Sequence, residues 1–201
     1  MVLMGINILV YLAQWLIPSL TDALVYFNIG PGTEYSSALR ALTSGFAHDP
    51  TQITHILFNM YSLFVLGTLL EPVLGKAKFL IVYFISLFGG IVGVILFNPI
   101  GYSVYGASGA IFGLMGAYLV MLRAVRADTR QMLIIVGINI VLSFLPGIAW
   151  AAHLGGLVIG AAVTVDSGSP YCWRYSFVFL LGITSIWLGK QNPPLANRNQ
   201  R

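Results

Sequence analysis

Residues 104–113 read V-Y-G-A-S-G-A-I-F-G: a glycine-rich turn that opens into an apolar segment, with one serine, Ser108, at the join. From Ala107 to about Leu122 no charged residue occurs, and Arg123, Arg126, Asp128 and Arg130 then close the run. A segment of that kind is a helix made for lipid, and its neighbours repeat the pattern. Apolar runs lie near 3–20, 53–71, 78–97, 131–146 and 149–165, with a seventh expected at 173–189. Each approaches the roughly 20 residues needed to cross a hydrocarbon core of about 30 Å. The whole 201-residue chain is 58% hydrophobic and 8% charged, with a mean hydropathy of +0.87, far from the balance of a soluble globular domain. The fold expected is an all-α polytopic membrane protein.

Charge sets the orientation. Lys76 and Lys78 fall between the second and third runs, Arg123, Arg126 and Arg130 between the fourth and fifth, and Arg174 between the sixth and seventh. These loops share one side, which the positive-inside rule makes cytoplasmic; the N-terminus is then cytoplasmic and the loops before runs two, four and six lie outside. Lys190, Arg198 and Arg201 would break the rule if 173–189 crosses fully, so that segment either spans or does not, and the side of the C-terminus stays open. No basic n-region or small-residue cleavage pattern precedes the first run, so it is expected to be retained as an anchor. The single cysteine, Cys172, excludes an internal disulfide and a cysteine-based metal cluster. The net charge of +4 is modest, and basic residues on the cytoplasmic side suit anionic lipids better than nucleic acid.

One transmembrane domain is expected over 1–190, followed by a short polar tail, 191–201. Within it, 22–50 is an external loop punctuated by Gly30, Pro31, Gly32 and Asp49-Pro50, and apolar enough (Val25, Tyr26, Phe27, Leu39, Leu42) to lie in the membrane interface.

Against this apolar background, polar residues are costly and mark function. The second run opens I-T-H-I-L-F-N, so His55 and Asn59 are four apart on one helical face. Ser108 stands in the first turn of the fourth run and His153 near the start of the sixth. Helices two, four and six all enter from outside, so these four side chains share one depth beneath the outer surface. Gly109 and Gly113 on the fourth run, and Gly156 and Gly160 on the sixth, form small-xxx-small faces that let helices approach closely in lipid. His153 lies on the same stripe as Gly156 and Gly160, which aims its imidazole at Ser108.

A serine hydroxyl becomes a nucleophile when a neutral imidazole takes its proton. His153 is the candidate base. All six acids (Asp22, Glu34, Asp49, Glu71, Asp128, Asp166) lie in loops or at the ends of runs, so a dyad without a third member is expected. The oxyanion of acyl transfer would be met by the Ser108 backbone N–H, unpaired at a helix start, and by His55 and Asn59. G-x-S-G alone is a weak signal; nucleophile, base and oxyanion donors from three helices at one level are a strong one. Asn7, Ser62, Ser86, Asn139 and Ser143 read as interhelical hydrogen-bonding residues, His48 as an outer-loop histidine that titrates there, and Arg40 as a clamp on loop carbonyls.

These motifs resemble the rhomboid family of intramembrane serine proteases: HILFN (His55 to Asn59), GASG (Gly106 to Gly109) and HLGGLVIG (His153 to Gly160). The resemblance covers roughly 3–165 and implies a six-helix bundle, here with a seventh C-terminal helix. It implies that Ser108 is the nucleophile, His153 the base, and His55 with Asn59 the oxyanion helpers, while Gly106, Gly109, Phe112, Gly156 and Gly160 support and pack. Two positions depart from the family. The Trp-Arg pair ending its first outer loop is Leu39-Arg40, and the aromatic after the nucleophile, often tyrosine, is Phe112, able to stack on His153 but without a hydroxyl.

The function expected is cleavage of single-span transmembrane substrates near the outer face through an acyl-enzyme, in the plasma (inner) membrane of a prokaryote. Lipids are the other partner; no cofactor, metal or nucleic acid is called for, since no ligand cluster or phosphate loop occurs. Two rivals remain: a catalytically silent rhomboid-like chaperone or adaptor, which would be expected to lack the serine or histidine, and a small transporter, which would need deeper polar residues and an internal repeat.

Overall fold

A computed structural model describes residues 2–29 and 38–165 of the chain. The expected segment 173–189 and the tail 191–201 lie outside them. Among the described residues the order is α1 (Val2–Leu16), α2 (Ser19–Leu24), β1 (Tyr26–Asn28), α3 (Ala38–Thr43), α4 (Ile53–Leu74), α5 (Lys76–Phe97), β2 (Tyr102–Val104), α6 (Ser108–Ala124), α7 (Arg130–Ser143) and α8 (Trp150–Val165). A long helix falls on each of the first six apolar runs. By length and composition α4 and α5 are long and apolar enough to cross a membrane, and α1, α6, α7 and α8 are shorter apolar helices.

The boundaries follow local chemistry. The sequence predicts that the first run continues to residue 20, but α1 stops at Leu16 because Pro18 has no N–H to extend the ladder and its ring blocks the preceding turn. α4 runs on through Pro72 and meets α5 across a single residue, Gly75, whose φ of +76° a side chain would resist. α7 stops short of Pro146 for the same reason as α1.

α6 is the innermost helix, buried continuously from Gly109 to Ala117. It packs most extensively on α8, and α8 in turn packs on α5. Small residues make both approaches possible. On one side Gly156 and Gly160 of α8 lie directly against the backbone of Gly109 and Gly113, and Gly116 against that of Leu157. On the other, Gly155 lies against the backbone of Gly89 and Gly93, and Ala151 against Gly93. α8 is therefore glycine-lined on two faces, one of which the sequence pattern did not reveal. Around this centre α1, α4 and α7 turn large apolar residues outward, among them Leu9, Leu12, Leu57, Phe58, Phe64, Ile134, Ile138 and Val141. So large an exposed apolar surface suits lipid rather than water.

The segment expected as an interfacial loop carries structure of its own. β1 pairs antiparallel with β2, with Tyr26 opposite Val104 and Asn28 opposite Tyr102. Asn28 Nδ2 donates to the carbonyls of Asn98 (3.0 Å) and Pro99 (3.3 Å) just past the end of α5. Arg40 clamps the same region, donating to the carbonyls of Asp22 (2.6 Å) and Val25 (3.0 Å). The loop is thereby fastened to the stretch that leads into Ser108.

Candidate active site

Ser108 is the first residue of α6, so its N–H belongs to the first-turn amides that have no acceptor within a helix. The turn before it depends on Gly106. Its φ is +120°, and a Cβ there would stand 2.9 Å from His55 Nε2 and 3.7 Å from Ser108 Oγ. Its N–H donates to the Ser44 carbonyl at 2.8 Å. One point in space thus adjoins both the His55 ring and the Ser108 hydroxyl, and only a residue without a side chain leaves it open.

His153 enters from the first turns of α8, buried, with Nε2 2.8 Å from Ser108 Oγ. Its ring lies flat on Phe112, centroids 4.2 Å apart and planes 11° from parallel. The stack and the close glycine contacts just below hold the imidazole at the hydroxyl.

His55 sits in the first turn of α4. The Asp49 N–H donates to its Nδ1 at 3.2 Å. A backbone amide can only donate, so Nδ1 carries the lone pair and, in the neutral ring, the proton is on Nε2, the nitrogen beside Gly106 and toward Ser108. Burial pushes the Asp49 carboxyl up, but hydrogen bonds from the Thr51 hydroxyl and N–H and from the Gln52 amide outweigh it and leave it below its ordinary value. Asn59 is one turn further along α4, buried, its Nδ2 donating to the His55 carbonyl at 2.8 Å while Oδ1 has no hydrogen-bond partner among the described residues.

Two further side chains, His48 and Ser143, reach the site, which the sequence alone does not show. The sequence reads His48 as an outer-loop histidine that titrates there. Instead it is fully buried, its ring 5.0 Å from that of His55 and its backbone N–H donating to Gln14 Oε1 at 3.0 Å. Burial, with His55 acting in the same direction, pulls its imidazole down to about 4 against a weaker upward pull from the Phe46 carbonyl. Ser143, at the end of α7, is an interhelical hydrogen-bonding residue as its sequence suggests, and the ring it meets is that of His153, for which the sequence offers no third partner: its Oγ lies 2.6 Å from Nδ1. Of the other residues with the same reading, Ser86 Oγ has no hydrogen-bond partner among the described residues, while the Asn7 amide bonds back to Leu3 of its own helix and its side chain also meets the Tyr83 hydroxyl of α5.

The family model described as the rhomboid domain matches residues 35–166, a range that holds His55, Asn59, Ser108 and His153. The chain belongs to the rhomboid family. It is therefore a membrane-integral protein. It is similar to the putative rhomboid protease YdcA of Bacillus subtilis, 41% identical over 113 residues, covering 53% of this chain and 57% of that protein. RHOMBOID-like protein 1 of Arabidopsis thaliana is 40% identical over 149 residues, 71% of this chain and 35% of its own length. The rhomboid protease GluP of Bacillus subtilis is 32% identical over 142 residues, 68% of this chain and 28% of its own. The chain thus spans between about a quarter and just over half the length of these curated relatives.

Proposed function

We propose that this rhomboid is an intramembrane serine endopeptidase that cuts transmembrane-helix substrates near the outer membrane face. The observation that supports it is the 2.8 Å approach of Ser108 Oγ to His153 Nε2. The hydroxyl proton passes to Nε2 as Oγ attacks the scissile carbonyl carbon. His153 then returns the proton to the departing amine, and water, activated by the same imidazole, releases the acyl group. The oxyanion forms where the Ser108 N–H, the positive end of α6 and His55 Nε2–H converge, with Asn59 beside them.

Helix length supports a recessed site. At 1.5 Å per residue the 22-residue α4 and α5 are about 33 Å long, whereas the 17-residue α6 is about 26 Å. In our reading α1 and α4 to α8 cross the bilayer with the N-terminus cytoplasmic, because Lys76, Lys78, Arg123, Arg126 and Arg130 gather at one end. Ser108 then lies below the outer surface, and a single-span substrate reaches it sideways from lipid after its helix loosens.

The test is a pair of measurements in liposomes on wild type, Ser108→Ala and His153→Ala: fluorophosphonate labelling, and cleavage of a single-span substrate. Wild type should label and cut, and both variants should do neither while remaining folded. Cleavage by Ser108→Ala at the wild-type rate, or a wild type that neither labels nor cuts, would overturn the proposal in favour of a non-catalytic rhomboid-like role.

A further inference from the structure

Ser143 closes α7, a helix that is mostly exposed and whose buried residues are Met132, Val136 and Ser143. Its hydroxyl, 2% exposed, has two neighbours: the Asn139 carbonyl one turn back at 2.7 Å and His153 Nδ1 at 2.6 Å. Bonding back to the carbonyl four residues earlier is ordinary for a serine in a helix, and Asn139 does the same to Ile135. What sets Ser143 apart is the second neighbour. A hydroxyl has one proton, so the direction of the chain of bonds can be worked out by counting.

If Ser143 donates to Asn139, its oxygen accepts from Nδ1–H. Nε2 then carries the lone pair and accepts from the Ser108 hydroxyl. Three protons find three acceptors. If Ser143 instead donates to Nδ1, Nε2–H must donate to Ser108 Oγ. The Ser108 proton is then left without an acceptor among the described residues, where its one hydrogen-bond contact is His153 Nε2, and the bond to Asn139 is lost. The first arrangement makes three bonds and the second two, in a buried place where each missing bond is costly.

We infer that Ser143 is a positioning residue: by accepting from Nδ1–H it holds His153 in the tautomer whose Nε2 can take the Ser108 proton. The role of an orienting carboxylate passes here to a serine hydroxyl backed by a helix carbonyl. A second contact from the same helix end steadies the arrangement, since Phe144 stacks on Trp150 of α8 with centroids 5.7 Å apart and planes 26° from parallel. The inference rests on the catalytic reading proposed above, but its test has a readout that does not require catalysis.

Nitrogen-15 spectra of histidine-labelled protein distinguish an Nδ1–H from an Nε2–H ring, and comparison with a His153→Asn sample assigns the signal. Wild type should show His153 as Nδ1–H, and Ser143→Ala should move the population toward Nε2–H. In the same variant kcat for cleavage should fall about 10-fold, the worth of one neutral hydrogen bond, with KM unchanged. Ser143→Thr, which keeps the hydroxyl, should restore both tautomer and rate. A wild-type His153 in the Nε2–H form overturns the inference outright, whether or not any variant folds. A Ser143→Ala protein with unchanged tautomer and kcat does so too. Absence of labelling and cleavage in wild type would instead sink the proposed function, while the spectra would still decide the role of Ser143.

Discussion

Replacing Gly156 by alanine tests the geometry on which the site depends. A Cβ at Gly156 would stand 2.8 Å from the Gly109 carbonyl carbon and 3.2 Å from its Cα, and closer still to the carbonyl oxygen. Ordinary contact begins at about 3.4 Å, and the obstacle is backbone, which cannot swing aside. α6 and α8 must therefore part by about an ångström, an overpacking that costs roughly 1–3 kcal/mol. Ser108 immediately precedes Gly109, and His153 lies one turn before Gly156, so the separation falls on their 2.8 Å hydrogen bond. A bond stretched by that much passes beyond the usual limit of about 3.2 Å, and a misplacement of this size lowers the rate by roughly 10²-fold. The assay is the rate of fluorophosphonate labelling in liposomes beside the melting temperature of the purified protein. Gly137→Ala on α7 is the control, because a Cβ there meets nothing within 4 Å; it should label normally and lose no stability, alanine being the better helix former by up to ~1 kcal/mol. Wild-type labelling and melting by Gly156→Ala would refute the reasoning.

Asn59→Ala should lower kcat by about 10²–10³-fold with little change in KM, as expected when one of several oxyanion donors is lost; steady-state kinetics on a single-span substrate would check this, and a pure KM effect would contradict it. Gly106→Ala forces a side chain into a φ of +120° and against His55 Nε2, so it should cost about 1–3 kcal/mol and slow labelling while the chain still folds; normal labelling would show that the turn is not so constrained. His48 binds a proton near its ordinary 6.5 when unfolded but only near 4 when folded. The unfolded state therefore gains protons first on acidification. The stability held above pH 6.5 should drain away toward pH 4, at up to about 1.4 kcal/mol per pH unit. His48→Gln should flatten a plot of melting temperature against pH across that window, and an unchanged slope would count against the buried, neutral imidazole.

The features legible in the sequence were those with a periodic signature. Gly109, Gly113, Gly156 and Gly160 could be read because close helix approach in lipid demands small residues at fixed spacing, and the stripe carried His153 with it. His55 and Asn59 could be read because four residues make one helical turn. The partner of Ser143 could not: it lies beyond the Pro146-Gly147 turn on another helix, and nothing in the residues from 139 to 153 says which serine meets which ring. The second glycine face of α8 escaped because Gly155 is adjacent to the stripe already assigned and gains meaning only once Gly89 and Gly93 are seen opposite it. His48 escaped for a different reason. Burial of a loop residue depends on what folds over it, and Gln14, which holds it, comes from α1. β1 and β2 are three residues each, too short for an alternation to announce them or fix their register.

That small sheet has a bearing on how the protein is made. Tyr26–Asn28 leaves the ribosome before α3, α4 and α5 exist, and waits for Tyr102–Val104 to emerge. Until then its edge is unsatisfied and the Asn28 amide lacks the carbonyls beyond α5. Pairings so distant along the chain form late and leave nascent intermediates open to misassembly. A polypeptide halted before residue 104 would leave Tyr26–Asn28 without its partner strand, and the stretch that leads into Ser108 takes its place only when this seam closes.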